Sequence, residues 1–211
     1  MKPDDRAAIN ATDRDPDPGM HKEHRNVKMI KFKAPDRFQK ITTIDSHTAG
    51  EPFRIITGGV PDPVGSTILE KRRYAKQNLD HIRKMLMFEP RGHADMYGCF
   101  VTPPVTPLAD FGVLFIHNEG FSTMCGHGII ALTTVAVETG FAKVSEEKPH
   151  IMIDSPAGLI TAYPYIENGR VVSVTFENVA SFAPELDQTI DIPGLGQVRY
   201  DLALAVRFMP L

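Results

Sequence analysis

The chain has 211 residues, of which 42% are hydrophobic and 23% charged, so it has enough apolar material for one large or two small globular domains. Its formal net charge is -3, with no basic excess to hold a phosphate backbone, so we expect no nucleic-acid partner. Cys99 and Cys125 form no C-x-x-C motif, which argues against a disulfide framework or a zinc ribbon. No apolar run reaches the ~18 residues that a membrane-spanning helix needs, so we expect no membrane insertion.

Residues 1–40 differ in composition from the rest of the chain. They are polar, charged and rich in proline, and they include no apolar segment typical of a secretory signal. Their aspartates also differ from the acid-poor composition of a mitochondrial transit peptide. Such a segment buries too little apolar surface to offset its ordering entropy, so we expect a disordered leader. Without a targeting signal, we expect a reducing, cytoplasmic location.

From residue 41 onwards, short apolar segments alternate with glycine and proline, which predicts strands separated by turns. We predict strands over Ile41–Asp45 and Phe53–Thr57. One long amphipathic helix is predicted over Ser66–Met87, because its apolar residues recur at helical spacing. Two further strands are predicted over Met96–Val101 and Gly112–His117.

A second helix is predicted around Ile129–Val137, where apolar residues cover most of the circumference, so we expect burial on nearly all sides. Ser122 or Thr123 is its expected N-cap, and Gly140 fits its C-cap. Beyond Gly140, strands are predicted at 151–153, 159–165, 171–176, 189–192 and 197–202. The sequence therefore predicts an α+β fold in which many short strands enclose few helices.

The segment Ser122–Gly128 leads directly into this buried helix and carries the strongest chemical signal. Cys125 would lie at the positive end of the helix macrodipole, which is expected to lower the pKa of its thiol. The N–H groups of Gly126 and His127 would lie in the unpaired first turn, where they can hold a carboxylate. A thiolate beside a bound carboxylate suits removal of a proton from the neighbouring carbon. A buried structural cysteine at a glycine-rich turn is the alternative, and spacing alone does not decide between them.

Other polar clusters carry weaker signals. Arg91–Asp95 is a charged turn for which we favour a structural ion pair, and Thr48–Pro52 is predicted to be a tight, mostly structural turn. His117 and His127 occur without the spacing of a metal motif, so we expect no metal site. Gly194–Gly196 lacks the spacing of a dinucleotide-binding loop.

Three segments, in this order, resemble motifs of the proline racemase family: 45–52 (DSHTAGEP), 91–98 (RGHADMYG) and 124–128 (MCGHG). The family includes proline racemases, 4-hydroxyproline epimerases and trans-3-hydroxy-L-proline dehydratases. Four segments are most similar to the eukaryotic dehydratase branch: 71–74 (KRRY), 79–81 (LDH), 86–93 (LMFEPRGH) and 114–120 (LFIHNEG).

The resemblance implies a fold of two similar lobes of the proline racemase and diaminopimelate epimerase type, each with strands wrapped around a central buried helix. It implies proline or hydroxyproline as the substrate and no metal, nucleotide or pyridoxal phosphate cofactor. Cys125 matches the base that removes the α-proton, while Gly126 and His127 match positions whose backbone groups hold the substrate carboxylate. In a dehydratase, loss of the 3-hydroxyl follows and the product tautomerises to 1-pyrroline-2-carboxylate. Racemase or 4-hydroxyproline epimerase activity is the alternative, and a homodimer is the assembly considered.

The resemblance also implies a second lobe that is largely missing from this chain. That lobe carries the opposite catalytic residue, a cysteine in racemases and epimerases or a threonine in dehydratases, and an aspartate for the ring nitrogen. We therefore expect residues 41–203 to hold the first lobe and the start of the second, with weak or no turnover by this chain. A truncated product without catalytic activity is the alternative to an enzyme.

The last residues of the chain depart from the family pattern. The family would continue after residue 203 as F-G-G-A-F-Y-A, whereas residues 204–211 read LAVRFMPL, which predicts a divergent, frame-shifted tail.

The nucleotide sequence tests the frame shift. One set of codons for the tail is TTG-GCG-GTG-CGT-TTT-ATG-CCC-TT, and one T in front turns it into TTT-GGC-GGT-GCG-TTT-TAT-GCC-CTT, which encodes F-G-G-A-F-Y-A-L. We expect the genomic sequence to contain this second frame, hidden by a lost base or a misplaced splice junction. Genomic sequence in which no frame restores the family tail would contradict the prediction.

Overall fold

The computed structural model describes residues 35–145 and 147–204. Most of the predicted leader and tail, residues 1–34 and 205–211, therefore lies outside the described residues. In chain order the elements are β1 (Thr42–Thr48), β2 (Glu51–Gly58), α1 (Ile68–Asn78), α2 (Asp80–Met87), β3 (Tyr97–Thr102), β4 (Phe111–His117), β5 (Gly120–Phe121), α3 (Gly126–Glu138), β6 (Ile151–Ser155), β7 (Gly158–Glu167), β8 (Arg170–Glu177), β9 (Phe182–Ile192) and β10 (Gly196–Leu204). Each predicted strand is found, mostly a few residues longer than the pattern indicated.

Eight strands form one sheet in the order β1-β2-β3-β4-β6-β7-β8, with the short β5 paired to β4. The pairs β2–β3 and β4–β6 are parallel, and the remaining pairs of this sheet are antiparallel. A parallel pair needs a crossover connection, and these two crossovers contain α1–α2 and α3 respectively. Helix α3 contacts β1 and β8, the two edge strands, as well as strands between them, so the sheet curls around this helix.

Helix α3 is buried on nearly all sides, as its composition predicted. Its buried residues occupy successive positions rather than one stripe, and they join the main core with residues from most strands. The C-cap is Thr139, one position before the predicted Gly140, and Gly140 follows it with φ +73°. The predicted N-cap is wrong, because the N-cap is Cys125. The Ser122 hydroxyl donates instead to the Met124 carbonyl, which fixes the turn that precedes the helix.

The single long helix predicted over Ser66–Met87 is also wrong, because α1 and α2 are separate helices that meet at Leu79. Leu79 has φ -117° and ψ 8°, outside helical geometry, while its side chain is buried. The Asn78 side chain donates to the Tyr74 carbonyl and so competes with the helix backbone at this point. Asp80 then starts α2 and pairs with Arg83 in the next turn. Since the helical spacing of apolar residues continues across Leu79, the pattern did not reveal the break.

Strands β9 and β10 form a separate hairpin, in which Gly194 and Gly196 take positive φ values of 86° and 78° at the turn. This is the structural role of the glycine pair that did not fit a dinucleotide loop. The register places Ile190 opposite Val198, and these side chains are exposed on one face with several other apolar ones. The opposite face is polar, for example at the Thr189 and Arg199 pair. A two-stranded hairpin with an exposed apolar face is not expected to be stable without a covering surface.

Two adjacent threonines of α3 give a matched test of the core. The Thr133 hydroxyl is fully buried and has no hydrogen-bond partner within the described part of the chain, whereas the Thr134 hydroxyl donates to the Ile130 carbonyl. We expect Thr133→Val to raise the free energy of unfolding by about 1 kcal/mol, because it removes an unsatisfied buried polar group. Thr134→Val should leave it unchanged or lower it by up to about 1 kcal/mol. Urea denaturation measures both, and a Thr133→Val chain less stable than Thr134→Val would contradict the structure.

Candidate functional site

Cys125 lies at the junction between an extended segment and the start of α3. Its backbone is extended, with φ -148° and ψ 108°, and its side chain is only 6% exposed. Gly126 and His127 occupy the first turn of α3, as predicted, so their N–H groups have no partner within the helix. The structure thus brings the three predicted site residues together at the buried end of the central helix.

The expectation that the helix start lowers the pKa of Cys125 is wrong for this structure. Burial raises the pKa of the thiol to about 12, since removal from water penalises the thiolate. The backbone N–H of Gly128 acts in the opposite direction, and the charge of Glu51 raises the pKa further. Desolvation therefore outweighs the helix terminus, and Cys125 is a neutral thiol at neutral pH.

His127 is the ionisable side chain in contact with the sulfur. The Cys125 Sγ lies 3.5 Å from its Nδ1 and 3.6 Å from its Nε2, so a small rotation of the ring decides which nitrogen faces the sulfur. Edge-on contacts with Tyr97 at 4.9 Å and Phe53 at 5.8 Å between ring centroids hold the imidazole in place. Burial lowers the pKa of His127, although the Glu51 charge and the Pro52 carbonyl oppose this. At neutral pH the imidazole is therefore uncharged, and burial also makes it a weaker base than an exposed histidine.

Two glycines of α3 differ in the space around them. A Cβ at Gly128 would lie 2.5 Å from the Phe53 ring and 3.0 Å from the Cys125 sulfur, closer than real contacts allow. A Cβ at Gly126 would lie 3.6 Å from the Phe176 ring, which is ordinary contact. Gly128 is thus required for packing of the helix start, whereas a methyl group at Gly126 would fit without overlap.

The Thr48–Pro52 turn, predicted to be mostly structural, is part of the site. The Thr48 hydroxyl donates to the His127 carbonyl at 3.0 Å, and Glu51 influences the pKa of both Cys125 and His127. Sequence reasoning missed these residues, together with Phe53 and Tyr97. For Thr48, Glu51 and Tyr97 the available signal was their place inside two of the three motif segments, whereas Phe53 lies just after the first segment.

A second cluster surrounds a cavity of about 550 Å³ next to Tyr97. The His117 ring stacks on Tyr97 at 5.3 Å, and burial lowers the pKa of His117. The cavity is lined by Phe88, Glu89, His93, Ala94, Asp95, Tyr97, His117, Asn118 and Glu119.

The predicted ion pair within Arg91–Asp95 is wrong, because the described side chains of Arg91 and Asp95 do not pair. The Arg91 carbonyl instead accepts a hydrogen bond from the Arg54 guanidinium, which pairs with Asp45. The backbone of this turn still has the structural role that was expected.

Within residues 35–145 and 147–204, no group of three or more His, Cys, Asp or Glu side chains is arranged to hold a metal ion. Among the same residues, no helix has the length and apolar character to cross a bilayer.

Comparison with known proteins explains the combination of buried helix, cysteine and glycines. The family model described as proline racemase matches residues 43–209, which is most of the chain. The chain belongs to the proline racemase family. A hydroxyproline epimerase from Agrobacterium vitis, solved with bound trans-4-hydroxy-L-proline, superposes with a TM-score of 0.67 at 28% identity, over 77% of this chain and 48% of that one. The expected α+β lobe with strands around a central helix is therefore confirmed.

Relatives of this proline racemase family member include enzymes with different names. It is 60% identical over 151 residues to a trans-3-hydroxy-L-proline dehydratase from Bacillus thuringiensis, covering 72% of this chain and 45% of the relative. A 4-hydroxyproline 2-epimerase from Streptosporangium roseum is 48% identical over 165 residues, covering 78% and 50%. The chain spans about half the length of these relatives. Both are bacterial, so assignment to the eukaryotic branch stays a prediction.

The two glycines provide a test of the packing at the site. We expect Gly128→Ala to lower the free energy of unfolding by about 1–3 kcal/mol, because the added methyl group overlaps the Phe53 ring. Gly126→Ala is the matched control and should unfold at or above the wild-type temperature, since its methyl group fits. Thermal denaturation followed by circular dichroism distinguishes them. Equal stability of the two variants would show that Phe53 does not pack as described.

The raised pKa of Cys125 predicts a distinctive alkylation profile. With a thiol pKa of about 12, the rate of reaction with iodoacetamide should rise about tenfold per pH unit up to at least about pH 10. An exposed thiol would level off near about pH 9. Mass spectrometry of the Cys125 peptide gives the rate separately from Cys99. A plateau below about pH 8 would mean that the helix terminus outweighs burial after all.

Proposed function

We propose that this chain forms the first lobe of a trans-3-hydroxy-L-proline dehydratase in which Cys125 removes the α-proton. The observation that carries the proposal is the placement of Cys125 at the N-cap of the buried helix α3, with the His127 ring against its sulfur. The dehydratases from Bacillus thuringiensis and Bacillus cereus, at 60% and 55% identity, are more similar to this chain than the epimerases, at 46–48%, and this favours water loss over epimerisation. Two further dehydratases, at 46–47%, lie in the same range as the epimerases.

The substrate carboxylate binds at the first turn of α3 in this proposal. The N–H groups of Gly126 and His127 supply donors, and the helix terminus adds a favourable field for an anion. Removal of the α-proton pushes further negative charge onto that carboxylate, so the same donors stabilise the transition state more than the ground state. Gly126 carries no side chain of its own beside these donors, and the Phe176 ring is the nearest group to the place of its Cβ, at 3.6 Å.

The raised pKa of Cys125 has a chemical consequence. Little thiolate is present at neutral pH, but a thiolate in a buried site is a stronger base, as an α-proton of low acidity requires. The thiol proton must move before the reaction, and the uncharged imidazole of His127 is the base within contact distance. We therefore assign to His127 the acceptance of this proton as well as the backbone contact to the carboxylate. The raised pKa of the thiol and the lowered pKa of the imidazole make this transfer unfavourable, so only a small fraction of the pair is ionised at neutral pH.

The overall reaction is loss of water from the substrate. Cys125 takes the proton from C2, the electron pair forms a C2–C3 double bond, and the 3-hydroxyl leaves after receiving a proton. The resulting enamine then tautomerises to 1-pyrroline-2-carboxylate. No step transfers a hydride, a phosphate or an amino group, so we propose that the reaction needs no cofactor.

We propose a reducing, cytoplasmic location for this protein, and the absence of a disulfide at either cysteine supports it. A homodimer stays a prediction.

Activity requires groups on the far side of the substrate, which we place in the half of the relatives that this chain does not match. From one lobe alone the ligand is held from one side, without the exclusion of water and the fixed orientation that proton abstraction needs. The alternative within the family is a proline racemase or 4-hydroxyproline epimerase. It would exchange the α-proton without loss of water.

A fusion test measures whether this lobe is competent. We expect the chain alone to give no measurable 1-pyrroline-2-carboxylate from trans-3-hydroxy-L-proline. The same chain joined to the unmatched half of the Bacillus cereus dehydratase should form it, because the substrate is then enclosed. Product formation and α-proton exchange in deuterated water are followed on trans-3-hydroxy-L-proline, trans-4-hydroxy-L-proline and L-proline. Exchange without water loss would support the epimerase, and turnover by the chain alone would contradict the need for a second lobe.

A further inference from the structure

The peptide unit between His127 and Gly128 is contacted on both of its polar sides. Its carbonyl oxygen, that of His127, accepts a hydrogen bond of 3.0 Å from Thr48 Oγ1. The Cys125 sulfur lies beside Gly128, 3.0 Å from the place that a Cβ of this glycine would take. The Gly128 N–H of this peptide also lowers the pKa of the thiol. The carbonyl and the N–H of a trans peptide point in opposite directions in one rigid plane. Thr48 therefore binds the carbonyl edge of this peptide, and the N–H edge points towards the sulfur.

The start of α3 needs support from outside the helix. A Ser, Thr, Asp or Asn at the N-cap would bind the free N–H groups of the first turn and orient them. Here the N-cap is Cys125, which among the described residues makes no capping hydrogen bond of standard geometry, and the first turn has no acidic residue. Because the neutral thiol does not cap the helix, a contact from outside the helix can set the orientation of these peptides.

Thr48 is placed to set this orientation. It is the last residue of β1, only 7% exposed, and it directly precedes the turn at Ala49 and Gly50, where φ is 49° and 94°. It lies 79 positions before His127 along the chain, so the hydrogen bond is a tertiary contact. The same hairpin also carries Phe53, whose ring limits the position of Gly128.

We propose that Thr48 is a positioning residue that acts on Cys125 through the His127–Gly128 peptide. Its hydroxyl fixes the plane of this peptide and polarises it, so that the Gly128 N–H is a better directed and stronger donor to the ionised sulfur. The proposal rests on the proposed function of Cys125 as the base. It assigns a role in the ionisation of the sulfur to a hydroxyl that does not touch the substrate.

Alkylation of Cys125 in the full chain tests this role without any need for turnover. We expect Thr48→Val, which keeps the shape but removes the donor, to slow the reaction with iodoacetamide at about pH 9 by about threefold to tenfold. Thr48→Ser keeps the donor and should react within about twofold of the wild type. The rate is read at the Cys125 peptide by mass spectrometry, and circular dichroism reports the melting temperature of each variant.

The sign of the effect separates positioning from simple loosening of the fold. A purely structural role of Thr48 would open the site in Thr48→Val and speed the alkylation of a buried cysteine. A hydroxyl-free variant that reacts at the wild-type rate or faster would overturn the proposal, and so would a Thr48→Ser chain as slow as Thr48→Val. Thr48→Ala repeats the comparison if the valine variant does not fold. Loss of the proposed function is detected separately, by hydro-lyase assays of the fused protein.

Discussion

The start of helix α3 combines two demands that oppose each other. Its unpaired N–H groups favour a negative charge, but the sheet that curls around the helix excludes water from Cys125. In the described structure the effect of burial is larger than that of the helix terminus, and the thiol has a pKa of about 12. A thiolate formed from a thiol of such high pKa is a strong base. In the proposed function, the other features of the site form this thiolate, hold it or bring a substrate to it.

The packing around α3 explains why the neighbours of Cys125 are so restricted. Gly128 is held between the Phe53 ring and the sulfur, and the His127 ring lies against two aromatic side chains. The β1–β2 turn reaches the helix through the Thr48 hydroxyl. A cysteine at the N-cap removes the usual support for a helix start, and contacts from the sheet replace it. Fold and chemistry are thus coupled through the first turn of one helix.

Hydrophobic periodicity was sufficient to predict the strands and the buried helix, because each depends on local patterns of apolar residues. It failed at Leu79, where the apolar spacing continues through a break in the backbone. It also gave the wrong direction for the pKa of Cys125, because a helix terminus is visible in sequence whereas depth of burial is not. Thr48 was missed as a site residue for a similar reason, since its partner His127 is distant along the chain.

The measurement that tests the account most directly is the hydro-lyase rate of the fused protein after replacement of each cysteine. Cys125→Ser should lower the rate by about 10²–10⁴-fold, because the general base is lost. Cys99→Ala is the matched control, since Cys99 is buried in the same core but does not contact His127, and it should retain most of the activity. A Cys125→Ser protein as active as the control would contradict the assignment of Cys125 as the base.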